Sequence, residues 1–339
     1  MWFDIERLIH SFKTALACLV GFAITKALHR YLFFDQWLIV TILVVMCAQI
    51  SVGSIIFKST VRFIGTCIGT LLAALTLISF GDNTLSYALV IAFAGLVFSY
   101  VATGQQSYSD AGTLGAVTTA IILINPNPTL TLTAERFFEI TLGIIIATLI
   151  SQFVLPIHAR THLRRSQAQA LKLLAEFYRI SLITQTTEKG KIAKLDENIV
   201  RSLATQRKLA NEAQRELLGS KFEPDRFQQI MDCEKRILRS IDFLNRMYGE
   251  LQVHPLLEHN EEWKQFNRSI ADTFDQIALR VEKPELTTAV IKPPSVANLK
   301  EQITRGQDLK DEPLQNIQAL FFALQNLTKQ VQELASVVA

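Results

Sequence analysis

Lys58 and Arg62, four residues apart, are the first residues in this sequence whose types and spacing suit chemistry. On a helix they share one face. In an apolar setting they would draw an organic anion inward, though Lys and Arg near a span end also serve as cytoplasmic anchors. A second set is Asp110, Thr113, Thr118 and Thr119, approached through Gln105, Gln106, Ser107 and Ser109. The segment opens with Gly112 and Gly115 and stops at Asn125-Pro126-Asn127-Pro128. Short, Gly-interrupted polar segments of this kind form midplane substrate sites in transporters. The alternative is an ordinary packed helix whose hydroxyls bond their own carbonyls.

A third set is Glu135, Arg136 and Glu139. Arg136 and Glu139 stand three apart and are placed to pair. Alternatively, Glu139 or Asp110 exchanges a proton, since a carboxylate in a dry site is pushed toward neutrality. Gln49 is a further polar residue, expected mid-span, with Thr41 two turns before it on the same helical face.

Nothing points to catalysis. His254, Glu258, His259, Glu261 and Glu262 form the one cluster of metal-ligand types. They lack an HExxH spacing and read as a solvated polar turn, so no metal is expected. There is no phosphate-cradling loop with lysine, no GxSxG elbow and no CxxC pair. We expect neither an enzyme nor a cofactor. Cys18, Cys47 and Cys67 lie in apolar runs and Cys233 stands alone in a charged region, so no disulfide framework is indicated.

The elements that must position these residues follow from a division in composition. Residues 1–156 hold seven basic and seven acidic side chains and ten of the 14 glycines, leaving 27 basic and 24 acidic side chains in residues 157–339. One soluble globule is excluded, and a net charge of +3 is too small to suggest a nucleic-acid partner. A ~30 Å hydrocarbon core requires about 20 apolar helical residues. Trp37–Phe57, Phe63–Gly81, Asn83–Ser109 and Ile140–Ile157 are uncharged runs. Residues 9–34 and 111–124 are less clean and bring the expected number of spans to six. The start, Trp2-Phe3-Asp4-Ile5-Glu6, lacks the basic region of a signal peptide.

With the N-terminus inside, Arg7, Lys13, Lys58, Arg62, Arg160, Arg164 and Arg165 fall on the cytoplasmic side, which places the second half there. Small residues at helical spacing, Gly65 and Gly69 with Ala73, and Gly143 with Ala147 and Ser151, read as close-packing faces. In the charged half, Ile237, Ile241, Leu244, Tyr248 and Leu251 repeat at helical spacing, as do Leu320, Leu324, Leu327, Val331, Leu334 and Val338. Helix starts are expected near Pro224 and Asp311.

These residues carry a resemblance. The stretch WLIVTILVVMCAQISVGSIIFKSTVRFIGTCIGTLLA, beginning at Trp37, resembles the core of the fusaric acid resistance and aromatic acid exporter superfamily. The matching positions are Trp37, Thr41, Gln49, Gly53, Lys58, Arg62, Gly65, Thr66 and Gly69. Arg136, Glu139, Gly143 and Pro156 match the family's sixth helix. Plant aluminium-activated malate channels share the outline more distantly. The resemblance implies transport of organic anions, aromatic carboxylates above all, across a bacterial inner membrane. Bacterial exporters of this type repeat the unit, so this chain looks half-size and a homodimer would restore the arrangement, consistent with the prevalence of twofold oligomers.

The expected fold class is therefore all-α. Residues 1–157 form a six-span transmembrane domain, and residues 158–339 a cytoplasmic antiparallel bundle of four or five helices with a Pro-containing linker at about 283–295. Both termini are expected in the cytoplasm. The expected function is proton-driven export: Lys58 and Arg62 recruit the carboxylate, Trp37 contacts the ring, and Thr118 and Thr119 line the route. A passive anion channel and a non-transporting membrane anchor with a partner-binding bundle are the alternatives.

Overall fold

The computed structural model describes residues 5–28, 36–81, 83–104, 108–184, 189–216, 222–250, 257, 260–284, 291–304 and 311–338. Among these, secondary structure is helical throughout, and contacts divide the chain into two units. The first unit is residues 1–159 together with 212–220; the second is 160–211 with 221–339.

Six helices build the first unit: α1 (Ile5–Leu28), α2 (Trp37–Met46), α3 (Val52–Phe80), α4 (Thr84–Gly104), α5 (Ser109–Ile124) and α6 (Leu130–Phe153). Four of them, α1, α3, α4 and α6, are long and apolar enough to cross a membrane. At 1.5 Å per residue, α2 is only about 15 Å long and α5 about 24 Å. Leu71 on α3, Phe93 on α4 and Leu149 on α6 turn outward with other large apolar side chains, as lipid-facing helices do.

The run Trp37–Phe57 does not form one helix. α2 ends at Met46, and residues 47–51 form a break before α3. The break has a local cause: the Ser51 hydroxyl accepts from the Ser54 N–H at 3.1 Å and caps a new helix. Gln49 therefore lies in the break and not mid-span. Lys58 and Arg62 fall inside a single 29-residue helix rather than before a third span. α6 is opened in the same way by Thr129, whose hydroxyl accepts from Leu132 N–H.

α3 packs on α5 and α6, α5 on α4, α2 on α6, and α1 on both α2 and α6. Gly65 and Gly69 set the first of these contacts. A Cβ on either would stand 2.6 Å from a backbone carbonyl of α5, that of Ala111 or Gly115 respectively. A Cβ on Gly143 of α6 would likewise stand 2.8 Å from the Leu38 carbonyl of α2.

Residues 212–216 complete this unit, and no sequence signal marks them for it. The Ser51 hydroxyl donates to the Glu212 carboxylate at 2.7 Å, and the Ala159 N–H donates to Glu216 at 2.6 Å. The Arg215 guanidinium stacks 3.8 Å from the Phe57 ring centroid. Gly53 lies so close to the Glu212 carbonyl that any side chain would overlap it.

The second unit contains α7 (Ala159–Tyr178), which passes into a π-helical turn at Arg179–Thr184, then α8 (Lys189–Ala213), α9 (Pro224–Glu250), α10 (Glu261–Glu282), α11 (Val296–Thr304) and α12 (Asp311–Val338). α9 and α12 pack along the two apolar stripes: Ile237, Ile241, Leu244 and Tyr248 are buried, as are Leu320 through Val338 at the same spacing. Tyr248 stacks on Trp263, and the buried Tyr178 hydroxyl donates to Asn267. Glu261 and Glu262 occupy the first turn of α10, where carboxylates favour the helix N-terminus. His254, Glu258 and His259 lie outside the described residues, as do Leu251 and residues 285–290 of the expected linker.

Candidate functional site

α2, α3, α5 and α6 enclose a cavity of about 110 Å³. Its cations are Arg62 from α3 and Arg136 from α6; Trp37 and Val44 of α2, Thr118 of α5 and Ile140 of α6 supply much of the remaining wall. Each element contributes for a local reason. The Ser51 cap starts α3 early enough to carry Arg62 to the level of α2, and Gly65 and Gly69 bring α5 close beside it.

Arg62 is 5% exposed. Its Nη2 donates to the Thr41 hydroxyl at 3.1 Å, while Nε and Nη1 have no hydrogen-bond partner. A buried charge held by one neutral hydroxyl is expensive, because desolvation of an ion costs several kcal/mol unless a partner repays it. An anion would offset that cost, and a carboxylate matches the planar donor array of guanidinium.

Arg136 is differently held. Its Nη1 donates to Glu139 at 2.8 Å, and its guanidinium lies 5.6 Å from the Trp37 ring centroid. Glu139 is fully buried and takes part in this ion pair. The aromatic face thus already carries a cation, in an arrangement whose attraction grows as water is excluded.

The remaining sequence-derived positions separate. Lys58 reaches Asp110 across α3 and α5 at 3.6 Å, but Asp110 is 52% exposed and does not line the cavity. Thr119 is buried and donates to the carbonyls of Gly69 and Gly115, which is a packing role. Thr118 lines the cavity while its hydroxyl donates to the Leu114 carbonyl. Gln49 does not line it, and Gln105, Gln106 and Ser107 lie outside the described residues. The structure therefore brings Trp37, Thr41, Arg62, Thr118, Arg136 and Glu139 together and leaves Lys58, Asp110, Thr119 and Gln49 apart from them. The apolar walls, Val44 among them, were missed because aliphatic residues in an apolar run carry no individual signal.

Four helices long and apolar enough to cross a membrane are those of an integral membrane protein, and the family that the chain matches is one of membrane transporters. The chain belongs to the fusaric acid resistance protein family, which it matches over residues 7–339. No curated protein matches it.

Proposed function

We propose that this chain is a bacterial inner-membrane exporter of aromatic carboxylic acids or related organic anions, proton-driven and homodimeric. The observation that carries the reading is Arg62: a buried guanidinium with two nitrogens unpartnered, facing a small apolar-walled cavity. In this reading the carboxylate takes the open donors of Arg62, and the ring lies against Val44 and Ile140 beside the Trp37–Arg136 stack. α2 and α5 complete six spans with the four long helices, both termini are cytoplasmic, and the second unit is the cytoplasmic helical domain. A second copy supplies the other half of the exporter.

A passive channel is the second reading. It is favoured by one feature: Asp110 and Glu139, the carboxylates suited to carry protons, are both engaged in ion pairs.

The test is efflux of labelled benzoate from proteoliposomes, with and without an imposed pH gradient. Wild type is expected to exceed empty liposomes, and Arg62→Gln to lose about tenfold or more, the scale of one charge-assisted contact. Acceleration by the gradient favours the exporter, and indifference to it the channel. Equal flux in wild type and Arg62→Gln would sink the anion-site assignment.

A further inference from the structure

If protons drive this protein, the group that binds them is not evident among the paired carboxylates. α1 offers another. His10 is 7% exposed, and neither ring nitrogen makes a hydrogen bond of good geometry, although the ring faces the Met46 backbone at the end of α2. Lys13, on the same face of α1, is completely buried. Among the described residues its acceptor is the Leu155 carbonyl, at a long 3.5 Å. Leu155 itself holds a left-handed backbone (φ 44°) immediately before Pro156, a conformation that costs a non-glycine residue of order 1 kcal/mol.

The surroundings of this pair are sparse in charge. α1 packs against α2 and α6. α2 carries no ionisable side chain, and Cys47 follows its end. The ionisable groups of α6 are Glu135, Arg136 and Glu139, near the end opposite to Leu155. On α1 itself, Glu6 and Arg7 lie a turn before His10. Ionisable side chains buried in a membrane protein are costly and default to function, and imidazole is the side chain whose ordinary range spans physiological pH.

We propose that His10, tuned by Lys13, is a proton-binding site on α1 that acts on the anion cavity through α2. The neutral ring carries one N–H; the protonated ring carries two and a positive charge. Protonation adds a charge-assisted donor opposite the carbonyl end of α2, where the helix dipole favours a cation. It also sets a second cation beside Lys13, which repels it. The balance of the two displaces α1 against α2. α2 is the shared wall: Met46 lies at the His10 end, while Trp37 and Val44 face the cavity and Thr41 holds Arg62. Displacement of α2 therefore alters the hold on the anion. This inference rests on the anion-transport reading above.

The experiment uses the full chain. Benzoate efflux is measured at equal pH on both sides from pH 5.5 to 8, for wild type and His10→Gln. Wild type is expected to change about tenfold across the range in which imidazole titrates, and His10→Gln to vary by less than about twofold. The same profile in both, or a flat wild-type profile, overturns the proposal. A direct readout covers the case in which no organic anion is transported, which would count against the anion reading and not against the proton site. With methyl-labelled methionine in nanodiscs, the Met46 signal of wild type is expected to shift between pH 5.5 and 8, and that of His10→Gln to stay fixed. A Met46 signal insensitive to pH, or equally sensitive in both proteins, overturns the proposal independently of transport.

Discussion

The Arg62 guanidinium donates to the Thr41 hydroxyl at 3.1 Å, and this bond joins the longest helix of the first unit to its shortest. Thr41 is the only hydrogen-bond partner that holds Arg62 among the described residues. Thr41→Val keeps the shape and removes the acceptor. We expect it to destabilise the protein by about 1–3 kcal/mol, the usual cost of stranding a buried polar group. Saturating benzoate should restore part of the loss by supplying a new acceptor. Thermal unfolding in detergent, with and without benzoate, measures both effects.

The α3–α5 contact gives a second expectation. Gly65→Val must push the Ala111 carbonyl away, and overpacking of this kind costs about 1–3 kcal/mol or more. Gly95 of α4 has open space around its Cβ direction. Gly95→Ala should be neutral or slightly stabilising, by less than about 1 kcal/mol, because alanine is the better helix former. Comparing the two melting temperatures separates a packing requirement from a general sensitivity of apolar helices.

Asp110 and Lys58 should behave as a partly exposed pair. Asp110→Asn is expected to change stability by no more than about 1 kcal/mol, the range for solvent-accessible ion pairs. If the pair also steers anions toward the cavity, the charge-reversed double variant Lys58→Asp with Asp110→Lys should recover flux lost by Lys58→Asp alone. Flux assays on the three variants decide it.

Glu234 lies fully buried in α9, facing the Gln206 amide without a hydrogen bond of good geometry, and burial pushes its carboxyl up to about 8. An acid raised in the folded state keeps its proton there while the unfolded chain releases it. Stability is therefore lost as pH rises from the ordinary carboxyl range toward 8, and changes no further above it. Glu234→Gln, which cannot ionise, should match wild type near pH 5 and exceed it by up to a few kcal/mol at pH 8. Chemical unfolding of both proteins from pH 5 to 9 tests the slope.

Much of this organisation was legible in the residues. The stripes through Ile237 and Leu320 marked the buried faces of α9 and α12, because helical periodicity is a local property, while the pairing of those faces came from the structure. Arg62, Thr41 and Trp37 were recognisable as a group through the family pattern. The break at residues 47–51 was not seen, since hydropathy reads straight through Ile50 and Val52 and overlooks the Ser51 cap between them. Burial of His10 and Lys13 was equally hidden: one turn of a helix can face lipid, water or protein, and only packing against α2 and α6 decides. The separation of Lys58 from Arg62 has the same origin: four residues leave the two side chains only some 40° apart on one face, and the neighbouring helices then take Lys58 to Asp110 of α5 and Arg62 to Thr41 of α2.

The seat of residues 212–216 on Ser51, Gly53 and Ala159 also sets an order of events during synthesis. The chain has emitted every apolar helix by residue 159, yet the partner of the Ala159 N–H comes 57 residues later. At ordinary rates of elongation that interval is on the order of 3–10 seconds. Throughout it Ser51 and Gly53 at the start of α3 lack the segment that covers them. A chain released between residues 160 and 211 would leave the Gly53 surface and the Ala159 N–H uncovered, and faster proteolysis of such a product than of the full chain is the expected outcome.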